Sequence, residues 1–143
     1  MAYEALNQLV MEYGEFLERE DYSEIAVSAV FSSDAQVSFA VGGTGKGLAE
    51  IAKKHEEMMA SFVGATHNIT NVVVTQDNET SASIRFHMEV IHQFRPEIAK
   101  NTPGDLFIVN DRITAQAVQE AGTWKFSQLE MKTLYKRMVN SVE

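Results

Sequence analysis

Ala65-Thr66-His67-Asn68-Ile69-Thr70-Asn71 runs straight into Val72-Val73-Val74-Thr75, and the chain changes character here. Up to about Gly64 apolar residues recur at helical spacing. Beyond it they recur at every second position, the period of a strand with one wet and one dry face. Helices followed by a long antiparallel sheet make an α+β fold, with the helices packed on one concave face. The same stretch sets a histidine, His67, at the mouth of that half-apolar sheet.

Upstream, Leu6, Leu9, Val10, Tyr13, Phe16 and Leu17 predict a helix over 3–19. Asp21 precedes Glu24 by three, a capping-box-like start for a short second helix. Val37, Phe39 and Val41 alternate as a strand over 35–41. Gly42-Gly43-Thr44-Gly45 reads as a turn. It lacks the Lys-Ser/Thr of a phosphate-binding loop. A third helix follows from about Gly47 to Phe62, with Leu48, Ile51, Ala52, His55, Met58, Met59 and Phe62 on one stripe. His55 is expected at a core edge.

Downstream lie three long strands. Residues 82–94 set Ile84, Phe86, Met88, Val90, His92 and Phe94 on one face. Residues 105–119 do the same with Phe107, Val109, Asp111, Ile113, Ala115 and Ala117. In 123–135, Trp124 and Phe126 fall on one side and Leu129, Met131 and Tyr135 on the other. That switch predicts a β-bulge near Ser127 or Gln128. Asp77-Asn78-Glu79 reads as a hairpin turn.

The 143 residues suit one domain, expected over 1–143, that buries roughly two thirds of its unfolded surface. Twenty acidic residues against twelve basic give a formal charge of −8. That balance repels phosphate backbones and anionic lipid, so neither nucleic acid nor membrane is an expected partner. The chain has no cysteine, which excludes disulfides and thiolate chemistry. Met1–Val10 lacks a basic start and a long apolar run, and no stretch has the ~20 apolar residues of a membrane span. A soluble cytoplasmic protein is expected. The four histidines have no metal-ligand spacing, so neither metal nor cofactor is expected.

Three polar residues stand where the period calls for apolar ones: His67, His92 and Asp111. If the sheet curls around a cavity, they converge in it. Burial raises a carboxyl pKa, and an imidazole titrates near neutrality. Together they can take a proton beside a carbonyl and return it elsewhere. The plain alternative for each is a hydrogen-bonded structural residue. His87, between Arg85 and Glu89, belongs to the polar outer face.

Several phrases, in order, resemble the SnoaL-like family of the nuclear transport factor 2-like superfamily. They are Asp21-Tyr22-Ser23-Glu24-Ile25, Phe31-Ser32-Ser33-Asp34-Ala35, Gly47, His67-Asn68-Ile69-Thr70-Asn71 and Gly122-Thr123-Trp124-Lys125-Phe126. The resemblance spans nearly the whole chain. It implies a cone-shaped curved sheet against three helices, enclosing one apolar pocket. Within the group the chain looks most like scytalone and bile acid dehydratases. Tyr13, Glu18 and His67 match the tyrosine, aspartate and histidine of the bile acid enzymes, with Glu in place of Asp. His92 stands where scytalone dehydratase has a second histidine. Phe39 replaces a water-binding tyrosine, and Ile113 an asparagine. Asp111 lies two residues from the aspartate of the polyketide cyclases and ketosteroid isomerases.

The expected catalytic set is therefore Tyr13, Glu18, His67, His92 and Asp111. The expected lining is Phe39, Phe86, Met88, Val90, Phe107, Val109 and Ile113. The function read from these is cofactor-independent lyase, isomerase or cyclase chemistry on a hydrophobic small molecule. The alternative is a non-catalytic binding or dimerisation module. A homodimer through the outer face of the sheet is also expected.

Overall fold

The helical spacing of the first nineteen residues becomes α1 (Tyr3–Glu18), which buries Leu6, Leu9, Val10, Tyr13, Phe16 and Leu17. It opens a computed structural model that describes residues 2–141, so Met1, Val142 and Glu143 of the expected domain lie outside the described residues. The other helices are α2 (Glu24–Ser28), α3 (Gly47–Met59) and the single turn α4 (Pro96–Ala99). The strands are β1 (Phe31–Ser38), β2 (Thr44–Lys46), β3 (Phe62–Gln76), β4 (Ser81–Phe94), β5 (Leu106–Glu120) and β6 (Thr123–Val139). The order across the sheet is β2-β1-β6-β5-β4-β3. Every neighbouring pair is antiparallel except β1 and β6, which run parallel.

Some boundaries move. α2 starts from Ser23, not Asp21: Ser23 Oγ accepts the Ala26 amide at 3.2 Å, and Asp21 Oδ1 accepts the Ser23 amide at 3.1 Å. Asp21 thus closes a local turn before the cap. The expected turn at 42–45 is shorter, because Thr44–Lys46 pairs with Gln36–Ser38 as β2. Val41 is 80% exposed, so the inward row of the first strand stops at Phe39. α3 ends at Met59, and Phe62 already opens β3.

Three β-bulges decide which side chains face inward. In β3, Asn71 and Val72 stand between the Thr70↔His87 and Val73↔Arg85 pairs, and Asn71 takes a left-handed φ of 55°. Strict alternation from His67 would put Ile69, Asn71 and Val73 on its face; His67 and Ile69 do share one, but Asn71 and Val73 turn to solvent and Val74 turns in. In β6, Ser127 is the extra residue between Gln116↔Gln128 and Ala117↔Phe126. The bulge expected there is present. It brings Trp124, Phe126, Leu129 and Met131 to one buried face. A second bulge, at Leu134, lies between Asn110↔Tyr135 and Asp111↔Thr133. It overturns the inward reading of Tyr135, which is 55% exposed.

α1 packs on β3, and α3 packs on β1. Gly14 makes the first contact close: a Cβ there would meet Ile69 Cδ1 at 3.1 Å. His55 lies deeper than a core edge, fully buried among Phe16, Tyr22, Phe31 and Phe39. Its Nδ1–H donates to the Ile51 carbonyl at 2.9 Å. Among the described residues no helix is long and apolar enough to cross a membrane. On the far side of the sheet Arg85, Arg112, Thr114 and Gln116 are exposed, with His87 and Glu89 half-buried.

Candidate active site

A cavity of about 550 Å³ opens between the concave sheet face, α1 and α3. Strand register sets its wall in rows. Asp111 pairs with Met88 on one side and Thr133 on the other. One step nearer the open end, Val109 lies between Val90 and Lys136. The next row is Met138, Phe107 and His92. His67 joins the middle row through its pairing with Val90. Tyr13 and Leu17 reach the cavity from α1, Lys54, Glu57, Met58 and Met59 from α3, and Phe39 from the end of β1. Tyr13 from the helix and His67, His92 and Asp111 from the sheet thus line one cavity.

Glu18 stands behind His67. Its Oε1 accepts the His67 amide at 2.6 Å and lies 3.6 Å from His67 Nδ1. The imidazole is 4% exposed, while the glutamate side chain is 42% exposed. Glu18 does not line the cavity. It works from the rim, where the last turn of α1 passes over β3. Burial pushes the His67 pKa down to about 4. Glu18 pulls it upward, and His92 adds to the depression. His67 is therefore neutral at pH 7, and a neutral imidazole is a base. Nδ1 makes no hydrogen bond among the described residues, but the nearby carboxylate favours the tautomer with the hydrogen there, in which Nε2 is the proton acceptor.

Tyr13 is fully buried, and its Oη finds no hydrogen-bond partner among the described residues. Burial, with Asp111 adding to it, holds the phenol pKa far above the usual range. The group is a hydrogen-bond donor at every working pH. Asp111 Oδ1 accepts the Thr133 hydroxyl at 2.8 Å. Burial raises the carboxyl pKa, and the threonine partly opposes the rise. His92 has a more fixed place. Its Nδ1–H donates to the Phe107 carbonyl at 3.0 Å. Its ring lies 4.4 Å from that of Phe62 and 5.6 Å from that of Phe107. Burial lowers its pKa, with the Phe107 carbonyl pulling the other way.

Of the expected lining, Phe39, Met88, Val90, Phe107 and Val109 face the cavity. Phe86 and Ile113 do not. Both belong to the packed core, where Phe86 lies edge-on to Tyr13 at 6.3 Å. Thr133, Lys136 and Met138 were missed, since strict alternation through Leu134 points the last two outward. No group of three or more His, Asp or Glu side chains among the described residues is arranged to hold a metal ion.

The family model for the SnoaL-like domain matches residues 1–130. The chain belongs to the SnoaL-like family. Among solved structures it is similar to a protein from Kribbella flavida, at 19% identity and a TM-score of 0.84 over 94% of this chain and 92% of that one. It is also similar to a protein from Novosphingobium aromaticivorans named for scytalone dehydratase, at 24% identity and a TM-score of 0.80 over 98% and 92%. A third is the hexachlorocyclohexane dehydrochlorinase LinA-type3 of Novosphingobium barchaimii, at 14% identity and a TM-score of 0.82 over 99% and 92%. At these identities the likeness is one of fold. No curated protein matches the sequence significantly.

Proposed function

We propose that this SnoaL-like protein is an acid/base enzyme that works without a cofactor, a lyase, isomerase or cyclase for a hydrophobic small molecule. The observation that carries the reading is a neutral histidine and buried acidic groups lining one apolar cavity. His67 is held uncharged and backed by Glu18, while Tyr13 and Asp111 keep their protons more firmly than exposed groups do. Environments that push titratable groups apart in this way divide the labour of base and acid.

In the lyase form, His67 Nε2 takes a proton from carbon next to a carbonyl. The electron pair forms the new double bond, and a hydroxyl or halide leaves from the neighbouring carbon. Tyr13 donates a hydrogen bond to the oxygen that gains charge. His67 then gives its proton to the departing hydroxide, which leaves as water, or to solvent where a halide departs. Two structural neighbours bear names that describe such eliminations, a dehydratase and a dehydrochlorinase, which supports the lyase form. Isomerisation and cyclisation start from the same proton abstraction and differ in where the pair of electrons goes.

The test is His67→Ala in an activity screen of polycyclic ketones, hydroxyketones and hydroxyacyl compounds, beside a melting curve. Turnover should fall ~10²–10⁴-fold with the melting temperature nearly unchanged. A wild type that binds apolar ligands, turns none over and binds equally well as His67→Ala would instead be a binding module.

A further inference from the structure

The bulge at Leu134 has a chemical consequence. It turns Lys136 toward the cavity in place of Tyr135. The other charged groups at the opening are occupied. Lys54 Nζ donates to the Gly42 carbonyl at 2.6 Å, and Glu57 faces Lys53 at 4.0 Å. Lys136 has neither an ion-pair partner nor a hydrogen-bond partner among the described residues. In a chain of net charge −8, Lys136 thus sets an exposed, unengaged ammonium at the rim of an apolar cavity.

Register places this ammonium opposite the base. Lys136 pairs with Val109, Val109 with Val90, and Val90 with His67. The four share one transverse row. Three strand spacings span roughly 14 Å on a flat sheet, and the two ends come closer where the sheet curves inward. Phe62, His92 and Phe107 form an aromatic cluster beside that row, with Phe62 and Phe107 within 10° of parallel and His92 inclined 31° and 29° to them. Five of the seven methionines line the same space, giving polarisable surface for a ring system.

We propose that Lys136 is the specificity-determining residue of this site and that the ligand it selects is a planar, largely apolar monoanion, an aromatic or polyunsaturated carboxylate. The carboxylate rests on Lys136 and the ring system lies along the aromatic cluster. The far end of the ligand reaches His67. The assignment of His67 as the group that meets the far end rests on the acid/base reading, but the anion preference does not.

Binding, measured without turnover, tests it. 2-Naphthoate and its neutral counterpart 2-acetonaphthone are titrated calorimetrically into the wild type, Lys136→Gln and Lys132→Gln. Lys132 lies on the same strand but is exposed on the outer face, opposite Arg112, so it controls for net charge. The wild type should favour the anion by about tenfold, in keeping with a charge-assisted hydrogen bond. Lys136→Gln should erase that preference and leave acetonaphthone binding unchanged. Lys132→Gln should keep it. No preference in the wild type, a preference that survives Lys136→Gln, or failure of both ligands to bind would overturn the proposal. A His67→Ala variant that binds 2-naphthoate normally, in a protein with no turnover, would sink the catalytic reading alone.

Discussion

Glu18 holds His67 by its backbone more tightly than by its ring: one carboxylate oxygen lies 2.6 Å from the amide and 3.6 Å from Nδ1. The arrangement fixes where the strand enters the cavity and only then biases the imidazole. Glu18 is a positioning residue, and its carboxylate raises the His67 pKa.

Glu18→Gln keeps an acceptor for the amide and removes the charge. Without that charge the His67 pKa falls further. The acid limb of kcat/KM, set near pH 4 by the imidazole, should therefore move to lower pH, with a loss of rate from the weaker base. A pH–rate profile of wild type and variant reads the limb. A limb that stays in place or moves upward removes Glu18 from the mechanism.

Tyr13→Phe separates chemistry from packing. The hydroxyl is buried without a partner, an arrangement that costs about 1–3 kcal/mol. Its removal should leave the melting temperature unchanged or higher, while turnover falls by ~10²-fold. A clear drop in melting temperature with normal turnover would make the phenol a structural group.

His55 supplies an acid-sensitive term. Burial holds its pKa to about 4, against about 6.5 in an unfolded chain. Between those values the unfolded chain binds a proton that the fold refuses. Stability is whole above about pH 6.5 and declines as pH falls toward 4, by about 3 kcal/mol at most. His67 and His92 shift in the same direction. Asp111 opposes them, because its raised pKa favours the fold when protonated. Urea midpoints at about pH 7 and about pH 4.5 measure the slope, and His55→Leu should flatten part of it. A wild-type midpoint indifferent to pH would contradict this account.

We also propose that the outer sheet face is a homodimer interface. Ile91 and Val118 on that side are only half-buried, apolar side chains that a solitary wet face does not require. Sedimentation at micromolar concentration should show a dimer, weakened by Thr114→Glu. A strict monomer in the wild type removes the interface.

The long strands were legible because one buried face demands an unbroken alternation. His92 and Asp111 stood out for the same reason, as polar residues on apolar rows, and both are buried. The Ser127 bulge could be read because Trp124 and Phe126 fall out of step with Leu129 and Met131. The Leu134 bulge could not. Tyr135 is apolar enough to pass as the next inward residue, so the row looked continuous, and Lys136 and Met138 went unrecognised. Phe86 and Ile113 were placed on the correct face, but alternation says nothing about where a helix closes the space above a sheet. The parallel pairing of β1 was beyond reach for a related reason, since its partner is set by tertiary contacts and not by any local pattern.

That pairing bears on how the chain assembles. Gln36 meets Gln128, its partner on the strand that comes last in sequence. On the ribosome, β1 has only β2 beside it until β6 has emerged. The roof formed by α3 has no finished floor to close over in that interval. Long-range strand pairing of this kind slows folding, and it leaves the apolar inner surface open to chaperones, or to an early ligand, during synthesis.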